Sequence, residues 1–221
     1  MKSLHIPPRW LKVITEKHLV WQFPAGSRKI FLSFDDGPTP GLTSQIAGIL
    51  NQFGAKATFF LMGKNAFKYP ELVRQIASDG HAIGNHGWHH VNGWLTGTAK
   101  YLENIQKANQ VISGNLFRPP YGRITPAQIQ VLKNQGINII MWSVLVPDYA
   151  NLPDLKSTLK KTISQTTDGS IVVFHDNPKA AKNCLALLPG FLNHFINLGF
   201  SFEIIPQGDN HFKPNSPSAN Y

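Results

Sequence analysis

Short runs of bulky apolar residues recur along the chain, separated by stretches whose apolar positions fall three and four apart. Lys29-Ile30-Phe31-Leu32-Ser33-Phe34 reads as a buried strand. Similar runs predict strands at 57–61, 81–84, 115–118, 137–143, 170–174 and 201–205. Helical spacing predicts helices from Thr43 to Phe53, from Pro70 to Asp79-Gly80, and from Thr98 to Ser113. Others follow at Thr125 to Asn134, Pro153 to Gln165 and Ala180 to Asn197. About seven strands alternating with about six helices point to an α/β fold with parallel strands. The pattern alone does not separate a barrel from an open doubly wound sheet. In both, function gathers at the C-terminal ends of the strands. Asp35, Asp36, His86, Arg118, Asp148 and His175 all follow a strand.

Three segments are expected. Residues 1–28 form an extension packed on the domain, with a short helix around Trp10 to Lys17. Residues 29–206 form the domain, and 207–221 a polar tail. At 221 residues the chain fits one domain with a substantial core.

Net charge is +9, from 21 Lys and Arg against 12 Asp and Glu. The basic residues are scattered, with pairs such as Lys160-Lys161 the longest runs, so a solvated basic surface is expected rather than a nucleic-acid site. Cys184 is the only cysteine, which excludes an internal disulfide and a thiolate metal cluster. No stretch approaches the apolar length of a membrane span, and Pro7, Pro8, Arg9, Lys12 and Glu16 interrupt any leader-like core. The chain therefore reads as soluble and unprocessed, and cytoplasmic as given.

Four stretches carry candidate chemistry. In Phe34-Asp35-Asp36-Gly37-Pro38, Gly and Pro stop the strand and leave two acids at its mouth. Adjacent side chains on a strand diverge, so one acid can face a metal and the other a reacting water. An ordinary solvated turn is the competing reading. His86 and His90, four apart in His86-Gly87-Trp88-His89-His90, would present two imidazoles on one side of a helical turn. Joined by one Asp they would make an open site of the catalytic zinc kind. Arg118-Pro119-Pro120-Tyr121 holds a guanidinium on a stiff segment suited to pairing with a carboxylate, and leaves the Tyr121 amide free to donate. His175 ends the apolar strand Ile171 to Phe174, where Asp148 could orient it and raise its pKa as a general acid requires.

The set SFDDGP, HGWHH, RPPYG, VPDY and VVFHD, in that order over about residues 28–205, resembles the polysaccharide deacetylases with a NodB-type domain, carbohydrate esterase family 4. The resemblance implies a distorted (β/α)7 barrel and metal-dependent hydrolysis of N-acetyl groups on glycans containing N-acetylglucosamine, such as chitin oligomers or peptidoglycan. By motif it makes Asp36, His86 and His90 metal ligands, Asp35 the catalytic base, Arg118 its ion-pair partner and His175 the general acid. The implied cofactor is a divalent metal, zinc first, with cobalt, nickel and manganese as alternatives. The metal and the Tyr121 amide would hold the oxyanion, with Asp148 keeping His175 protonated. Val173 stands in place of a Leu near the acetyl methyl pocket, and Trp88, Trp94, Tyr121 and Tyr149 are candidates to stack on sugar rings. Two further departures are Gly87, where the family has Ser or Thr, and Leu145, where it often has an acid. The resemblance also brings action in the cell envelope into view. The alternatives are hydrolysis of another C–N bond, such as a sugar formamide, and a non-catalytic glycan-binding module. The expected partner is the glycan, with a monomer favoured and the oligomeric state open.

Overall fold

The computed structural model describes residues 7–207. Helix α1 (Arg9–Thr15) and strand β1 (Leu19–Val20) come first, and then β2 (Lys29–Asp35), the central strand, all but one of whose residues are buried. The chain continues with α2 (Leu42–Gln52), β3 (Thr58–Leu61), α3 (Gly63–Lys68), α4 (Pro70–Ser78) and β4 (Ala82–Asn85). Next are α5 (Thr98–Asn109), β5 (Leu116–Phe117), α6 (Pro126–Asn134), β6 (Asn138–Ile140) and β7 (Val144–Leu145). The last elements are α7 (Leu155–Gln165), β8 (Ile171–His175), α8 (Ala181–Asn197) and β9 (Ser201–Glu203).

The strands form one parallel sheet in the order β1-β6-β5-β4-β3-β2-β8-β7, with β9 pairing the first residues of β2. It curls into a half-barrel with helices outside, open between β1 and β7, the distorted barrel of the family expectation. Apolar runs buried on both faces are what parallel strands under helices require. Ile30, Leu32 and Phe34 of β2 pack with Val172 and Phe174 of β8 and with Leu187, Leu188, Phe191 and Leu192 of α8. Cys184 is buried and unpaired in the same cluster.

Three differences from the sequence reading have physical causes. The strand expected at 137–143 stops at Ile140 as β6, where the Ile140 and Met141 carbonyls accept from the Arg118 guanidinium, and β7 beyond the expected span pairs separately with β8. Helix α3 was not expected; its six residues are too few to show a period. The His86–His90 segment is an irregular loop rather than a helical turn, with Gly87 at φ +82°. Upstream of β2, β1 extends the sheet beside β6, and the Trp21 indole donates to Thr15 at 2.8 Å. The tail expected from Gln207 lies, beyond that residue, outside the described part. No helix among the described residues is long and apolar enough to cross a membrane.

Candidate active site

A cleft of about 700 Å³ lies over the C-terminal ends of the strands. Asp35 and His175 are register partners on β2 and β8, so adjacent strands deliver both to its floor. Asp36 follows at φ +80°, a left-handed backbone that swings its carboxylate away from that of Asp35. The residue is held there from two sides: its N–H donates to the Phe60 carbonyl at 3.2 Å, and its carbonyl accepts from Asn65 Nδ2 at 2.9 Å.

Asp36 Oδ1 lies 3.6 Å from His86 Nε2 and 3.4 Å from His90 Nε2. One donor atom from each of the three residues lies within 4.8 Å of the others. The chemistry fits a divalent cation: His86 Nδ1 sits 2.8 Å from the Arg118 carbonyl, so that nitrogen carries the proton and Nε2 keeps its lone pair. Burial, together with the neighbouring His86, lowers the His90 pKa to about 4, which keeps that ring neutral as a ligand must be. Burial pushes the Asp36 carboxyl up, but His86, His175, His90 and the Asn177 amide outweigh it and hold the group below its usual range.

Arg118 is fully buried and every side of its guanidinium is occupied. Nη1 donates to Asp35 Oδ1 at 2.7 Å and to Ser33 Oγ at 2.8 Å. Nε and Nη2 donate to the Ile140 and Met141 carbonyls, and the group lies 4.0 Å over the Phe60 ring. One residue therefore orients the Asp35 carboxylate with its side chain and the His86 imidazole with its carbonyl.

His175 Nδ1 lies 2.7 Å from Asp148 Oδ1, and the His175 backbone N–H donates to Oδ2 of the same carboxylate at 2.8 Å. Burial works against charge on the imidazole; the bond and charge of Asp148, aided by Asp35 and Asp36, reverse this and raise its pKa. That arrangement suits a group that gives up a proton.

The other expected residues divide. Tyr121 lines the cleft at φ +60°, its ring 4.2 Å from that of His90, and among the described residues nothing accepts from its backbone N–H. Trp94 and Tyr149 also line the cleft; Trp94 donates to the Ile124 carbonyl, and the Tyr149 ring stands 5.0 Å from His175. Val173 is fully buried and is not on the cleft wall, where Leu145, its register partner on β7, stands instead. Trp88 faces away from the cleft, packed on Phe67 under Lys107.

Sequence reasoning missed the residues that brace these groups. Ser33 shares a strand face with Asp35, and that period of two was a usable signal. Asn104 of α5 replaces the hydroxyl expected at position 87: its side chain accepts from the His89 N–H at 2.8 Å and donates to the His89 carbonyl at 3.0 Å. A Cβ on Gly87 would come within 2.6 Å of Asn104 Nδ2, so glycine and asparagine fit each other. Asp176, fully buried, receives the Thr43 hydroxyl at 2.5 Å and abuts Gly37. Asn177 Nδ2 donates to Asp36 Oδ2 at 2.7 Å.

Comparison with known proteins gives a consistent result. The family described as polysaccharide deacetylase matches residues 23–140. A peptidoglycan-N-acetylglucosamine deacetylase of Bacillus cereus is 30% identical over 197 residues, covering 86% of this chain and 92% of that protein. A chitooligosaccharide deacetylase of Azorhizobium caulinodans is 35% identical over 156 residues, covering 66% of this chain and 73% of that protein. The crystal structure of a peptidoglycan N-acetylglucosamine deacetylase in complex with 4-naphthalen-1-yl-N-oxidanyl-benzamide superposes with a TM-score of 0.82 at 29% identity, over 90% of this chain and 95% of that one.

Proposed function

The chain belongs to the polysaccharide deacetylase family, and from that premise we propose that it removes N-acetyl groups from glycans containing N-acetylglucosamine, in chitin oligomers or peptidoglycan. The observation that carries this reading is the meeting, in one cleft at the strand ends, of a His/His/Asp triad, an Arg-paired carboxylate and an Asp-paired histidine.

Deacetylases of this family depend on a metal; here Asp36, His86 and His90 would hold it, with zinc the first choice for two imidazoles and one carboxylate. Bound there, a divalent cation supplies Lewis-acid polarisation of the amide carbonyl and brings the pKa of water down to roughly 7. Asp35 Oδ2, the oxygen not engaged by Arg118, takes the proton of the attacking water. The Arg118 guanidinium pairs with the Asp35 carboxylate at 2.7 Å and fixes its orientation. The Tyr121 N–H, with no acceptor among the described residues, would donate to the developing oxyanion. His175 delivers its proton to the departing amine and is held in the charged form by Asp148. Trp94 and Tyr149 offer aromatic faces to sugar rings along the cleft, as Tyr121 does beside His90.

The test is acetate release from N-acetylglucosamine oligomers by metal-stripped protein before and after zinc is restored. Zinc-dependent release supports the reading. Release of formate rather than acetate across matched amide substrates would replace it with formamide hydrolysis, and binding of the glycan without turnover would favour a binding module.

A further inference from the structure

We propose that Asn177 is a positioning residue that selects which oxygen of Asp36 is offered to the metal. Asp36 has two chemically equivalent carboxylate oxygens, yet the structure treats them differently. Oδ1 faces the Nε2 atoms of His86 and His90 at 3.6 and 3.4 Å, while Oδ2 accepts from Asn177 Nδ2 at 2.7 Å. The orientation of the Asn177 amide is itself determined. Its Oδ1 accepts from the Ala180 backbone N–H at 3.0 Å, just ahead of α8, so the NH2 end must be the one turned to Asp36. A flipped amide would set its oxygen against a carboxylate oxygen and its NH2 against an N–H, losing both bonds.

With Oδ2 engaged, the carboxylate presents a single atom to the cation, matching the single nitrogen from each imidazole. A carboxylate that turned both oxygens to the ion would occupy a position that water or substrate needs. The bond also ties the ligand that follows β2 to the segment that carries His175, two residues before Asn177. Hydrogen-bonded partners of this kind tune metal affinity by roughly 10- to 100-fold.

This inference rests on the metal-site reading above, and its test separates the two. Zn2+ affinity is measured by competition with a chromophoric chelator, and the Co2+-loaded protein is examined by visible absorption, for the parent chain, Asn177→Ala and Asn177→Asp. Asn177→Asp keeps an oxygen for the Ala180 N–H but removes the donor to Asp36, so it separates ligand positioning from the support of α8. The expected result is a loss of roughly 10- to 100-fold in Zn2+ affinity for Asn177→Ala, with an altered Co2+ spectrum in both variants. Parent-like affinity and spectrum in both variants would overturn the inference. So would a weakened Ala variant beside an Asp variant that matches the parent in both readouts, because that pattern belongs to helix support alone. A parent chain that binds neither ion would overturn the metal site itself, and this inference with it.

Discussion

Asp148 meets His175 with both of its oxygens: Oδ1 at the imidazole and Oδ2 at the backbone N–H, at 2.7 and 2.8 Å. The carboxylate thereby fixes the ring's position and its charge together. Because Asp148 raises the His175 pKa, the acid form persists to higher pH than a free histidine would allow. In Asp148→Asn the backbone bond survives but the charge is gone, so His175 deprotonates at lower pH. The alkaline limb of the pH–rate profile is expected to move downward, while Zn2+ affinity stays within a few-fold of the parent. An unmoved limb would remove His175 from the role of proton donor.

Arg118 and Asp35 form a buried pair whose members carry different risks. Asp35→Asn keeps the shape and an acceptor for Arg118 but cannot take a proton, so turnover is expected to fall by roughly 10²- to 10⁴-fold with metal affinity retained. Arg118→Ala leaves a buried carboxylate unpaired and strips the donors from the Ile140 and Met141 carbonyls. Breaking a pair of this kind costs about 3–5 kcal/mol, to be read as a lower urea midpoint. Retained turnover in Asp35→Asn would reassign the base.

Strands β2, β3 and β8 were legible because fully buried parallel strands have to be apolar at nearly every position. Two-residue β1 and β7 carry no period, and the end of β6 involves Arg118, 22 residues upstream of the nearest carbonyl it captures. The same locality limit applies to the site. Asp35, Asp36, His86, Arg118 and His175 could be read from their places after strands, and the structure sets them around one cleft. Ser33, Asn104 and Asn177 act through hydrogen bonds to residues 15 to 141 positions away, which no local pattern encodes. The helical turn expected from the four-residue histidine spacing gives way to a loop because Gly87 adopts a positive φ and Asn104 takes over the backbone bonds.

Gly37 is a packing prediction. Its φ is ordinary, but a Cβ there would run into the Asp176 carboxylate, which is buried against Thr43 and cannot retreat to solvent. Gly37→Ala is expected to cost about 1–3 kcal/mol and to displace the Asp35–Asp36 turn. Differential scanning calorimetry and Zn2+ titration would check the two effects together. A variant with parent-like melting and metal affinity would show that the turn yields at no cost.

Asn104→Ala removes the two bonds that hold the His89 backbone, next to the ligand His90. Zn2+ affinity is expected to weaken by roughly 10-fold with only a small change in melting temperature, since the loop lies outside the core. Restoring Ser at position 87 in the Asn104→Ala background would not rescue it, because Gly87 sits at φ +82°, where a side chain is strained.

His81 gives the chain an acid liability separate from the active site. The buried ring uses Nδ1 to accept the Ala57 N–H at 3.3 Å and packs on Phe59, so protonation would set a second donor against that N–H. Burial, aided by Lys56, lowers its pKa from 6.5 to about 4, against a weaker opposing pull from Asp79. Between those values the unfolded chain binds the proton and the folded one does not. The stabilising contribution is therefore full above pH 6.5 and is lost progressively as the pH falls toward about 4. In His81→Gln, which keeps an acceptor but does not titrate, the fall in melting temperature across that window is expected to flatten. The variant will be less stable than the parent at neutral pH, so the slope and not the absolute temperature is the reading. An unchanged slope would place the acid loss on another group, with His90, whose pKa is also lowered to about 4, the next to replace.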